Sequence, residues 1–344
     1  MKAAWPIKNK PLGGIALTAK ERVAAVLRHE IPDRVPCSIF LPELTEEEKA
    51  AYTRKYGDDF VLLQGQDLVE CQPGIPFPSS PYRMVDGIPW FHSPIISDDY
   101  HEVDGLVFPD PDNLSLYEEL RHTVEAHPHQ AVCFNLVGPF TILHGMRLME
   151  NIYLDVYENP DGLHRVLDKI WSVSRRVLEN VLKMDLDLAA IFFLDDIAAQ
   201  KSLLFSPKTL EEFFFPYMRE VVAMAKARGL PVLFHSDGDL TQVLPTLADI
   251  GITAPNPMQP TCNDMAQFKQ LYHGKLVCYG GLDNTGILLH GTPNDVRRHV
   301  QDLFETVGKD GGLIFTYRGE DPRYTRENLL ALYEAVMNCR YDRT

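Results

Sequence analysis

No two cysteines stand in a C-x-x-C spacing, and the six that occur, at 37, 71, 133, 262, 278 and 339, are scattered along 344 residues. That excludes a dense disulfide framework and is the pattern of reduced thiols in a cytoplasmic protein. No stretch approaches the roughly 18 apolar residues a membrane-spanning helix needs. The first residues carry Lys2, Lys8 and Lys10 but lack the apolar core of an export signal. Positive charge is also scarce, with 33 Lys and Arg against 48 Asp and Glu and a formal net charge of −15. Without a Lys/Arg-rich run, a surface that tracks nucleic-acid phosphates is not expected. A G-x-G-x-x-G fingerprint is missing as well. What is present is 45% hydrophobic residues, enough to bury a full core. A small molecule or a protein is the expected partner, and a homodimer is left open.

The apolar pattern alternates between strand and helix. Residues 1–16 read as an N-terminal arm, and Thr18 with Glu21 forms a capping box ahead of a helix lined by Val23, Val26 and Leu27. Val35 to Phe40 is a first strand and Thr45 to Tyr56 its helix. Residues 58–113, rich in proline, glycine and aromatics, read as an insertion or lid, with strand-like stretches at Tyr82 to Trp90 and His101 to Phe108. Further strands are expected at Ala131 to Val137, Asp187 to Leu194, Leu230 to His235, Ala254 to Pro257, Leu276 to Gly280 and Gly312 to Tyr317. Helices separate them, among them Pro160 to Met184 and Ser206 to Gly229. Such alternation implies parallel strands. A count near eight favours a single α/β domain over residues 1–344, a (β/α)8 TIM barrel, instead of an open doubly wound sheet.

In a barrel of this kind, polar residues just past the strands face the catalytic end. Four clusters fall there: Asn135, Asp195-Asp196, His235-Ser-Asp237-Gly-Asp239, and Asp283. Adjacent carboxylates can ligate a metal, clamp a substrate or supply a general acid, whereas one of the two could merely N-cap the next helix. His235 and Asp237, two apart, can share a metal ion such as zinc; alternatively the histidine is a hydrogen-bonded residue at the barrel top. Cys278 inside a strand reads as a small buried residue. Gly280-Gly281 reads as a tight turn or as a close backbone approach.

Taken in order, Leu17-Thr-Ala-Lys-Glu-Arg-Val, Pro32-Asp-Arg-Val-Pro36, Gly138-Pro-Phe-Thr141, Leu194-Asp-Asp-Ile, Phe234-His-Ser-Asp-Gly-Asp239 and Gly280-Gly-Leu-Asp283 resemble the uroporphyrinogen decarboxylase superfamily. That superfamily holds decarboxylases and methyltransferases that work with corrinoid proteins. The Arg-Gln-Ala-Gly-Arg segment with which the decarboxylases grip substrate carboxylates is replaced here by Val35-Pro-Cys-Ser-Ile-Phe-Leu-Pro-Glu43. The thiol-methylating members resemble one another in a zinc held by His-x-Cys and a later Cys. Here the positions read His235-x-Asp237 and Thr316-Tyr317-Arg318, so two of three ligands are not thiolates and thiol methylation is not implied.

The resemblance then implies a methyltransferase that moves a methyl group from a small methoxylated or methylated donor to the cobalt of cobalamin on a separate corrinoid protein. His235, Asp237 and Asp195 would be catalytic, with His235 and Asp237 as ligands if zinc is bound. Asn135, Asp196, Gln259, Asp283 and Tyr317 would orient the donor. The alternative is decarboxylation of a small acidic substrate, uroporphyrinogen included. It requires cationic groups at the mouth, for which Arg147, Arg318 and Arg323 are the candidates.

Overall fold

A strand flanked by parallel neighbours is covered on both faces and therefore needs an unbroken apolar run. Ala131–Val137 is such a run, buried almost throughout. The computed structural model describes residues 17–57, 66–85, 88–317 and 321–341. The strands of the central layer are β1 Cys37–Ser38, β2 Leu68–Cys71, β3 Ala131–Val137, β4 Ala190–Leu194, β5 Val232–His235, β6 Ala254–Asn256, β7 Cys278–Gly281 and β8 Leu313–Thr316. β2 to β6 form one parallel sheet in chain order, and β7, β8 and β1 form another. Main-chain hydrogen bonds bridge both seams: Asp67 N donates to Cys37 O at 3.0 Å, and Met258 N to Tyr279 O at 3.1 Å. The eight strands thus follow one another around a TIM barrel.

Alternate strand residues point inward, where Ala131, Cys133, Ala190, Phe192, Leu233 and Ile314 pack with Val23, Val26 and Leu27 of the helix Ala19–Leu27. Lys20 N of that helix donates to His129 O, just ahead of β3. The helix therefore plugs the N-terminal end of the ring, and the expected capping box of Thr18 and Glu21 starts it. A buried ion network seals the same end. Arg22 reaches Asp33 at 2.7 Å and Asp67 at 2.8 Å, and Arg34 reaches Asp67 at 2.7 Å. These residues account for two of the sequence motifs structurally, far from the catalytic end.

Outside the ring, the helix Pro160–Lys183 is capped by Asn159 and lays Leu163, Val166, Leu167, Ile170, Val177 and Val181 against the sheet. No helix among the described residues is long and apolar enough to cross a membrane.

Three sequence expectations need correction. The second barrel strand, Leu68–Cys71, lies inside the stretch expected to be an insertion, so the excursion begins after Cys71. Glu70 interrupts its apolar pattern, which is why the strand is not legible. Residues Tyr82–Val85 and Ile88–Phe91 do form an antiparallel hairpin, but His101 to Phe108 is not a strand: Asp99 caps a 3-10 helix over Tyr100–Gly105. The long helix after Ser206 is two helices, Pro207–Phe213 and Phe215–Lys226, because Pro216 has no N–H to continue the ladder.

Candidate functional site at the barrel mouth

β5 ends on His235, and the parallel register places Asn256 of β6 directly beside it. Both side chains are buried, at 4% and 3% exposure. His235 Nδ1 lies 2.9 Å from Asn256 Oδ1, while Asn256 Nδ2 donates to the Tyr279 carbonyl at 3.4 Å. A carbonyl only accepts, so the amide is oriented with its oxygen toward the ring, and Nδ1 must carry the proton. In the neutral ring, Nε2 is left with its lone pair outward. It stands 3.6 Å from Asp196 Oδ1 at the end of β4.

The loop after β5 turns back over this pair. Asp237 N donates to Asp196 Oδ1 at 2.9 Å, and Gln259 bridges the loop, accepting from Gly238 N at 2.8 Å and donating to Asp237 Oδ1 at 3.2 Å. Gly238 has φ of 96°, and a Cβ there would sit 2.4 Å from the Ala199 carbonyl oxygen; only glycine fits. The result brings ligand atoms of Asp196, His235 and Asp237 within 4.8 Å of one another. One imidazole nitrogen and two carboxylates are a donor set for a divalent cation of intermediate hardness.

A cavity of about 590 Å³ opens beside the cluster, walled by Phe40, Glu70, Asn256, Thr316 and Tyr317 among others. No lysine or arginine is among its described lining residues. Glu70 accepts from Asn135 Nδ2 at 3.2 Å and from Tyr279 OH at 3.3 Å. Burial and the Glu70 charge hold the Tyr279 phenol well above its ordinary pKa, so it stays a donor.

Of the residues singled out from sequence, Asp196, His235, Asp237 and Gln259 meet at one point, and Asn135 and Tyr317 line adjoining space. Asp195 and Asp283 do not join them. Asp195 is 2% exposed and accepts from Thr141 N at 2.8 Å, so it caps the helix Pro139–Met146 of the preceding unit, not the helix after it. Burial, partly opposed by the Thr141 hydrogen bonds, pushes its carboxyl up from 3.8 to about 7. Asp283 Oδ1 accepts from Gly286 N at 2.7 Å and from Thr285 N at 3.2 Å, closing its own turn. The Cys278 thiol is buried and pushed up to about 12, so it is no thiolate ligand. Arg147 is buried, bound to Asp155 at 2.8 Å, and does not line that cavity; Arg323 pairs with Asp321; Arg318 and the 1–16 arm lie outside the described residues.

Two residues escape the sequence reading. Glu70 is hidden with its unrecognised strand. Asn256 sits at a strand end and could have been found by the rule that singled out the other four clusters.

Residues 80–338 match the family model described as Uroporphyrinogen decarboxylase (URO-D). Among curated relatives, the uroporphyrinogen decarboxylase of Christiangramia forsetii is 24% identical over 305 residues, covering 86% of this chain and 84% of its own length. That of Coxiella burnetii is 25% identical over 235 residues, 65% of this chain. The match spans 62% of the Coxiella protein, less than two thirds of its length. Among solved structures, a methyltransferase from Methanosarcina mazei superposes with a TM-score of 0.65 over 93% of this chain and 98% of that one, at 18% identity. That likeness is one of fold.

Proposed function

We infer the chemistry from family membership and the mouth of the barrel together: the chain belongs to the uroporphyrinogen decarboxylase family, and within it the protein transfers a methyl group from a small methoxylated or methylated donor to a corrinoid carried by a separate protein. The observation that carries this reading is the outward lone pair of His235 Nε2, locked by Asn256 and faced by Asp196 Oδ1 at 3.6 Å. Three acceptor atoms gathered at one point attract a proton or a divalent cation, and either one there would stabilise charge developing on the donor's leaving oxygen or nitrogen. Asp196, His235 and Asp237 would hold a metal ion such as zinc, which supplies Lewis acidity when bound. Gln259 and the Gly238 turn keep Asp237 in place, and Asn256 keeps the histidine ring in one tautomer. The cobalt of the corrinoid supplies the nucleophile.

The test is to incubate the purified protein with cob(I)alamin and a panel of methoxylated and methylated donors while following the cobalamin spectrum. Methylcobalamin formed with one donor class and lost in His235→Ala is the expected result. No methylcobalamin from any donor refutes the reading. The relatives' names favour a second reading, decarboxylation of uroporphyrinogen. Its substrate is a polycarboxylate, and the described cavity wall offers Glu70 and no lysine or arginine, so like charge opposes binding. Chromatographic detection of decarboxylated porphyrinogen after anaerobic incubation would establish that second reading instead.

A further inference from the structure

Glu70 is the sole carboxylate among the described lining residues of the main cavity, and no lysine or arginine accompanies it there. The one histidine of that lining, His127, is tied through Nδ1 to Gln130 Oε1 at 2.6 Å. Glu70 itself is exposed, whereas the two groups that hold it, Asn135 and Tyr279, are 6% and 0% exposed. Alternate residues along a strand share a face. Glu70 therefore lies with Leu68, and Asn135 with Ala131 and Cys133, on the inner side of the ring, where Tyr279 also packs.

Asn135 Nδ2 donates to Glu70 Oε2 at 3.2 Å, and Tyr279 OH donates to Oε1 at 3.3 Å. One donor on each oxygen holds the carboxylate in place as an acceptor. The bond to Glu70 also orients the Asn135 amide, and its Oδ1 is buried without a hydrogen-bond partner among the described residues. Buried polar atoms are normally paired. An amide oxygen next to a carboxylate asks for a ligand group that donates a hydrogen bond and carries positive charge. Phe40 and Tyr317 line the same cavity, edge to face with ring centroids 6.1 Å apart, and a cation within about 6 Å of an aromatic ring is attracted to its face.

We propose that this wall binds an organic ammonium group, which pairs in charge with Glu70, donates an N–H to Asn135 Oδ1 and rests its alkyl substituents against Phe40 and Tyr317. The formal net charge of −15 favours the approach of such a cation. As the non-reacting end of a methyl donor, the ammonium rests on the methyl-transfer reading; as a bound cation it does not.

Calorimetry at neutral pH on the protein alone compares 2-(dimethylamino)ethanol, which is protonated there, with 3-methyl-1-butanol, the same shape with a neutral C–H in place of the N–H. The ammonium should bind about tenfold tighter or more, the effect of one charge-assisted hydrogen bond, and Glu70→Gln should abolish that preference. Choline, in which a methyl replaces the N–H, should bind more weakly than 2-(dimethylamino)ethanol to the wild type but not to Asn135→Leu. Phe40 is 39% exposed, so Phe40→Leu spares the core and should weaken the ammonium by about two- to fivefold without affecting the alcohol. Equal affinity for ammonium and alcohol, no binding of the ammonium, or a preference that survives Glu70→Gln would each overturn the proposal, and choline as tight as the tertiary ammonium would overturn the Asn135 contact. Ammonium binding as expected, with no methylcobalamin from 2-methoxy-N,N-dimethylethylamine or any other donor, refutes the proposed function and leaves the site standing. Methylcobalamin from an uncharged donor with no ammonium binding does the reverse.

Discussion

Asp195 offers a sharp quantitative test, because its sequence position beside Asp196 invites a catalytic role while its surroundings give it a structural one. Folding buries the carboxyl and moves its pKa from 3.8 to about 7, a difference worth roughly 4 kcal/mol of preference for the protonated form. The folded chain keeps this proton at pH values where the unfolded chain has released it. Between those two values the unfolded state binds fewer protons, so stability falls as pH rises and levels off above about pH 7. Asparagine cannot titrate, and its Oδ1 still accepts from Thr141 N. Urea unfolding of wild type and Asp195→Asn at pH 5 and pH 8 isolates the effect. At pH 5 the unfolded carboxyl is already ionised and the wild type sits about 1–2 kcal/mol below the variant, so the comparison reads the further loss from pH 5 upward. By pH 8 the wild type should have lost a further 3 kcal/mol or about that relative to the variant, a large part of a typical 5–15 kcal/mol total. A difference between the two proteins that stays constant within about 1 kcal/mol from pH 5 to pH 8 would refute the assignment of Asp195 as a buried, protonated cap.

Removing one member of the N-terminal ion network should be costly in a different way. Asp67→Asn leaves Arg22 and Arg34 fully buried with one counter-charge fewer, and a loss of about 3–5 kcal/mol in urea unfolding is expected. At the mouth, equilibrium dialysis with zinc should give about one ion per wild-type chain and none for His235→Ala, with Asn256→Leu weakened by roughly 10- to 100-fold through loss of the locked tautomer. Gly138→Ala would place a Cβ 2.3 Å from Asp195 Cγ; a fall in thermal midpoint equivalent to about 1–3 kcal/mol is expected from overpacking, and an unchanged midpoint would show that the helix cap is not tightly held.

Most of the ring was legible because burial on both faces leaves an unmistakable mark: runs such as Phe134 to Val137 or Ile191 to Leu194 tolerate no charge. The strand that failed that test, Leu68–Cys71, failed because Glu70 points a carboxylate into the mouth. A local pattern breaks where the site needs a polar group, so the same residue that hid the strand belongs to the cavity. Adjacent residues also looked alike in sequence. Asp195 and Asp196 differ by one position, but strand alternation sends one carboxyl under a neighbouring helix and the other to His235.

The sequence by itself determined the barrel, the family, and the turn at His235 to Gly238 as the place where polar groups gather, since periodicity and motif order are carried by local residues. Only the tertiary structure decided which groups meet. Asn256 comes beside His235 through strand register, Asp196 reaches it from another strand, and Glu70, Asn135 and Tyr279 converge from three more. Those partners lie 21 to 209 positions apart in the chain. Nothing local encodes a hydrogen bond between them; the closure of the ring does.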